Sequence, residues 1–206
     1  MASGNEGDGC YTSGYNKNDG VYSLIERRGV EKRCVYEGSD VENDRLKILH
    51  GIVFETSIHE SNGELYALIS LRNNGLKVLY LWKAFFMPYG GELSGDFFNV
   101  MSNNIKMDYL GIKVNFGHFP ESLDDFIEVP PGGQVNERIH LNEYYQLLPQ
   151  KRVYDIGTNF ISLSYKPVTG KGFYSSGLIG VRSNRVTASL DGTSLNDKLA
   201  TSYGVR

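Results

Sequence analysis

Asn62-Gly63 sits between two runs of alternating hydrophobicity, and this constrains the fold more than any other feature of the chain. Ile52–Ile58 and Leu65–Leu71 carry the period-2 pattern of half-buried strands, with Leu65, Ala67, Ile69 and Leu71 on one face and Tyr66, Leu68 and Ser70 on the other. Asn-Gly supplies the two consecutive positive φ angles that a two-residue type I′ turn demands, so Ser61-Asn62-Gly63-Glu64 predicts an antiparallel hairpin. Further turn signals follow at Asn73-Asn74-Gly75, Pro88-Tyr89-Gly90-Gly91 and Pro130-Pro131-Gly132-Gly133. Between them lie Lys77–Phe86, Phe126–Val129 and Val135–Leu141, each short and apolar or alternating. The spacing predicts an all-β chain: a two-sheet antiparallel β-sandwich, immunoglobulin-like, with an irregular N-terminal arm.

Its expected extent is residues 46–190. Leu79, Leu81, Phe97, Val114, Phe126, Ile139, Phe160 and Leu163 are the predicted core, and Phe85 is expected to face it too. Tyr80 and Trp82 belong to the second face of their strand, which a neighbouring loop must cover. Leu141–Leu148 predicts one helical turn capped by Asn142, with Tyr144, Tyr145 and Leu148 touching the sheet. Residues 1–45 form the N-terminal unit. Its first 20 residues are Gly, Asn, Asp, Ser and Tyr without periodicity, which cannot offset their ordering entropy unless they pack on something else. Two short strands flank Arg27-Arg28-Gly29, and Glu37–Asp44 is expected as a solvated acidic link. Residues 191–206 are a polar tail.

Composition excludes several function classes. The net charge of −3 and the lack of a Lys/Arg stripe argue against nucleic acid as a partner. The longest apolar run, Leu76–Pro88, is interrupted by Lys77 and Lys83 and is too short to span a bilayer. The N-terminus has neither the basic nor the apolar region of a signal peptide, which implies the cytoplasm if that end is native and secretion if a leader was removed. Cys10 and Cys34 fit either one disulfide or two thiols.

The order of strand cores and turns is itself informative. It runs from Lys83-Ala-Phe-Phe-Met-Pro-Tyr-Gly-Gly through Asp108-Tyr-Leu-Gly-Ile-Lys-Val and Asp125-Phe-Ile-Glu-Val-Pro-Pro-Gly-Gly to Ile139-His-Leu-Asn-Glu-Tyr-Tyr. Thr158–Tyr165 and Ser183-Asn-Arg-Val follow. Over Ile52–Leu190 this resembles the non-catalytic β-sandwich domain that precedes the catalytic domain in deuterolysin and peptidyl-Lys metallopeptidases, the aspzincins. The resemblance implies an accessory or propeptide-like module. It does not extend to the family's zinc chemistry: His59-Glu60-Ser61-Asn62-Gly63 holds half of His-Glu-x-x-His, on a predicted hairpin where the second histidine would not share a helical face. Gly192-Thr193, Asp197 and Tyr203-Gly204 echo a second family signature at too long a spacing.

Other chemistry is sparse. His50, His59, His118 and His140 show no helical pairing, and Glu121, Asp124 and Asp125 fall in a loop after Pro120. Gly170-Lys171-Gly172 is not a phosphate loop. No catalytic residue, metal ligand or cofactor is therefore expected, and the predicted role is a non-enzymatic protein-binding module whose partner is a metallopeptidase or a second copy of the chain. Phe86, Met87 and Tyr89 in one aromatic loop, with Tyr11 and Tyr15 in the arm, are the candidate contact residues. A self-assembling structural or toxin-like protein, using that arm, is the alternative.

Overall fold

The computed structural model describes residues 21–25, 31–35, 38–86, 88, 91–117, 119–175 and 177–196. Along the chain these form β1 (Val21–Ile25), β2 (Glu31–Val35), α1 (Gly38–His50), β3 (Ile52–Ser61), β4 (Glu64–Asn73), β5 (Leu79–Trp82), β6 (Phe98–Ser102) and β7 (Ile105–Lys106). Then come β8 (Phe126–Val129), β9 (Gln134–His140), β10 (Lys151–Thr158), β11 (Ile161–Ser164), β12 (Ile179–Val181), β13 (Val186–Asp191) and α2 (Gly192–Asn196).

The hairpin forms as its sequence demands. Asn62 and Gly63 have φ of 54° and 75°, and the β3–β4 register runs from Ser61↔Glu64 to Ile52↔Asn73. Leu65, Ala67, Ile69 and Leu71 are buried, as are Phe54 opposite Leu71, Thr56 opposite Ile69, and Ile52 at the start of β3. Strand β9 pairs on the far side of β4, from Tyr66↔His140 to Arg72↔Gln134, which completes a three-stranded sheet with one dry and one wet face.

Besides a two-stranded antiparallel pair, β1-β2, there are two four-stranded antiparallel sheets, in the orders β12-β11-β5-β8 and β13-β10-β6-β7. They share a bent ladder, because β10 runs on through Asn159 and Phe160 into β11 while β12 runs on through residues 182–185 into β13. At the bend, side chains replace ladder bonds: Thr158 N–H donates to Ser183 Oγ (3.0 Å) and Ser183 N–H to Thr158 Oγ1 (2.9 Å). Gly157 is required here, since a Cβ would lie 2.9 Å from the Asn184 carbonyl. The Asn184 amide then reaches edge strand β3, accepting from Thr56 N–H (2.7 Å) and donating to its carbonyl (3.1 Å). One side chain thus satisfies two backbone groups that an edge strand would otherwise expose.

The three- and four-stranded sheets close on one hydrophobic core, so the chain is an all-β antiparallel sandwich whose body bonds as three sheets because the ladder turns a corner. Leu79, Leu81, Phe97, Phe126, Ile139 and Leu163 are buried as predicted. Val114 and Phe160 are not, being 49% and 36% exposed. Phe160 sits on the bend, where its ring lies 4.9 Å from the Arg182 guanidinium, and Val114 belongs to a segment outside every sheet. Trp82, Ala84, Phe126 and Phe173 form a second cluster on the opposite face of β5 and β8, with Tyr80 and Phe85 against it. The covering loop expected over Tyr80 and Trp82 is the 3₁₀ turn Gly170–Ser175, whose Phe173 meets Trp82 edge-on at 5.2 Å. Phe85 joins this cluster, not the main core, because β5 ends at Trp82, whose carbonyl accepts from the N–H groups of both Phe85 and Phe86. That turn resets the alternation and sends Phe86 inward.

Three connections differ from the sequence expectation. The acidic link is helical: α1 buries Asn43, which donates to the Arg182 carbonyl (3.2 Å) and accepts from its N–H (2.7 Å). Asn142 is no cap: His140 holds that position ahead of the 3₁₀ turn Leu141–Glu143, and the buried Asn142 accepts from Leu65 N–H (3.0 Å) while donating to Gly63 (3.1 Å) and Leu195 (3.0 Å) carbonyls. Beyond Leu190, α2 packs onto the body through a fully buried Leu195. Each buried asparagine ties together backbone groups that no ladder reaches, which is what an irregular connection requires when it lies under other chain.

Candidate functional site

The expected contact residues are not assembled into one surface. Phe86 is a core residue with no exposed area, edge-on to Phe97 at 5.8 Å, so its expected place on a recognition loop is corrected. Met87, Tyr89, Tyr11 and Tyr15 lie outside the described residues, as do Cys10, His118, Asp197, Tyr203 and Gly204.

The histidines are dispersed. His59 is on β3, exposed, near Ser57 Oγ (3.3 Å), where strand geometry denies it a helical zinc face. His50 Nδ1 lies 2.7 Å from the Tyr165 hydroxyl. His140 faces away from the core, since Ile139 and Leu141 point in, and it stacks on Tyr66 with ring centroids 4.2 Å apart. Its Nε2 meets Glu64 and its Nδ1 lies 2.9 Å from Glu143, while Arg138 covers Tyr66 at 3.7 Å. Each imidazole nitrogen thus faces a carboxylate of the cluster. Among the described residues no group of three or more His, Cys, Asp or Glu side chains is arranged to hold a metal ion.

Glu121 and Asp125 form a capped turn. Backbone N–H groups of Ser122 and Glu121 donate to the Asp125 carboxylate and hold its pKa below the ordinary value, with Lys83 adding a smaller effect. These bonds favour the ionised carboxylate and hold it to its own turn.

Two features of the surface remain. The wet face of β3, β4 and β9 holds an open groove of about 680 Å³ lined by Glu55, Ser57, Leu68, Ser70, Asn136 and Arg138. The second feature is the chain from Asp108 to Gly117. It is tethered at its start by Leu110 N–H to the Tyr144 carbonyl (2.8 Å), by the Tyr109–Tyr145 bridge, and by Tyr109 Oη at 3.0 Å from the Leu93 carbonyl. Gly111 is wedged between Tyr109 and Tyr144, with no room for a Cβ. Halfway along, Val114 N–H donates to the Ser94 carbonyl (2.8 Å). Residues 112–117 run without helix, turn or bend, and φ is negative at every residue from 110 to 116. The segment is thus irregular chain outside every sheet, bounded by a bend at Gly111 and by Gly117, whose φ is +82°.

It presents Leu110, Ile112, Val114 and Phe116 to solvent, Ile112 at 77% exposure. Four apolar side chains at alternate positions on an anchored backbone make a contiguous exposed apolar stripe, which marks an interaction surface more than isolated exposed leucines do. The alternation of these residues was visible in the sequence. Its meaning was not, because alternation alone reads as a half-buried strand, and only the absence of a covering element separates the two cases.

No protein-family model matches the chain, and no curated protein matches it. Among the described residues no helix is long and apolar enough to cross a membrane.

Proposed function

We propose that this chain is a non-enzymatic protein-binding module of the kind that accompanies an aspzincin catalytic domain, and that it engages its partner by strand addition along residues 110–117. The exposed apolar segment carries this reading. Strand addition uses main-chain hydrogen bonds for affinity and alternate side-chain contacts for selectivity, and this segment offers both along one line. The family resemblance includes Asp108–Val114, the run that leads into it.

Binding of a deuterolysin-type catalytic domain, followed by titration calorimetry, tests the reading. Wild type should bind, and Ile112→Asp and Lys113→Pro should each weaken binding at least tenfold without moving the thermal melt. Equal binding by all three proteins removes the segment from the account. Zinc-dependent peptide hydrolysis by the purified chain, lost on His59→Ala, would overturn the non-enzymatic part.

A further inference from the structure

Three of the four most exposed large apolar side chains among the described residues project from one corner. Ile48 and Leu49, in the last turn of α1, are 82% and 67% exposed, and Leu76, between β4 and β5, is 96% exposed. The two segments meet backbone to backbone. Asn74 N–H donates to the Gly51 carbonyl (2.7 Å), and Gly51 lies so near Gly75 that a Cβ on it would come within 2.6 Å of the Gly75 nitrogen. Both are fixed from below. Buried Asn73 accepts from Gly75 N–H (2.9 Å) and donates to the carbonyls of Lys77 and Val129 (both 2.8 Å), which leaves Leu76 at the apex of a pinned loop. Asn43 ties α1 to the Arg182 backbone in the same way.

The rim of this corner is cationic. Arg72 and Lys77 are exposed on either side of Leu76: Arg72 Nε donates to Asn74 Oδ1 (2.7 Å), Lys77 lies over the Tyr165 ring at 5.2 Å, and among the described residues neither is in an ion pair. Arg45 is exposed one turn before Leu49. The carboxylate of Asp44 is matched by Lys47 at 3.1 Å. This positive rim stands on a chain whose net charge is −3, so the corner favours an anionic partner that the chain as a whole would repel.

Shape separates a bilayer from a protein as that partner. Protein interface cores are closely packed, and each anchor fills a pocket on the other side. Here the apolar groups stand out as separate tips, with almost none of their own chain around Leu76. A fluid bilayer takes such tips without a matching pocket, while anionic headgroups meet the cations around them. We infer that this corner docks on the surface of an anionic bilayer, with Leu76, Ile48 and Leu49 at the headgroup and acyl boundary and Arg45, Arg72 and Lys77 against the headgroups. It goes beyond the protein-binding reading and uses a different surface. The corner lies at the Asn73 end of β4, whereas residues 110–117 are tethered at Tyr144, close to the Asn142 that holds Leu65 at the other end.

Flotation of the full chain with vesicles of phosphatidylcholine, alone or mixed with phosphatidylserine, tests the inference. The chain should float with the mixed vesicles, less so as salt is raised. Leu76→Asp should weaken binding at least tenfold, as should Arg72→Glu combined with Lys77→Glu, each with an unchanged melt. Ile112→Asp should float as wild type does, so loss of vesicle binding and loss of metallopeptidase binding fall to different variants. A polarity-sensitive dye on Leu76→Cys, in a background with Cys10 and Cys34 changed to Ser, should report an apolar medium on the vesicles. Free glycerophosphoserine should not displace the chain, since the tips need a bilayer. A wild type that does not float, equal binding to phosphatidylcholine alone, displacement by the free headgroup, or the same loss for Ile112→Asp as for Leu76→Asp overturns the inference.

Discussion

Replacing Phe86 by Ala separates a core role from a recognition role at the position where the sequence pointed to recognition. The ring has no exposed area and packs edge-on against Phe97, which in turn packs against Phe98 at 5.2 Å. Truncation therefore removes the transfer free energy of a full phenyl ring and leaves a cavity among groups that cannot collapse, because β5 and β6 fix them on either side. Phe→Ala at such a site costs about 3–5 kcal/mol. For a chain of this size each kcal/mol lowers the melting temperature by roughly 2–4 °C, so a loss of about 4 kcal/mol corresponds to roughly 8–16 °C. Differential scanning calorimetry reads this directly. Ile112→Ser serves as the control, since an exposed substitution should stay within about 0.5 kcal/mol. A shift below about 3 °C for Phe86→Ala would refute the packing argument and return Phe86 to the surface.

Other outcomes follow from the same structure. Asn142→Asp keeps the shape but turns a carboxylate toward the Gly63 and Leu195 carbonyls, so it should destabilise more than Asn142→Ala, itself expected to cost about 2–4 kcal/mol by urea denaturation for the lost buried hydrogen bonds. Tyr145 is buried beside Asp96, and burial with that negative neighbour pushes its phenol well above the ordinary tyrosine value. The proton is thus held more tightly in the folded state, so its stabilisation is complete below about pH 10 and is lost as the pH rises further. The urea midpoint should fall steeply from pH 10 upward, and Tyr145→Phe should start lower and fall less.

Much of this fold was legible in the sequence because it rests on local chemistry. Asn62-Gly63 fixed a turn type, and alternation in Leu65–Leu71 fixed which side faces in. The covering of Tyr80 and Trp82 followed from a strand apolar on both faces. What escaped were effects of chain geometry beyond the strand. Phe86 took the main-core place expected of Phe85, which packs on the second cluster instead, because a tight turn at Trp82 broke the period of two. Asn43 and Asn142 carry polarity typical of loops and caps, yet both are buried, since their amides satisfy backbone groups at irregular crossings. Val114 has the composition of a core residue and is exposed, because burial depends on whether another element arrives to cover it. That last failure is also where the candidate surface lies: a stripe written like a strand and left without a sheet.

Amide hydrogen exchange at Lys113 and Asn115 tests that surface most directly. In dilute protein both amides should exchange close to the rate of an open chain, while those of β4 are strongly protected. On addition of the metallopeptidase domain, both should slow by at least tenfold while the exposed amide of Glu121, which already donates to Asp125, stays unchanged. Protection of Lys113 and Asn115 in the dilute monomer, or exchange that does not slow in any complex, would contradict the account.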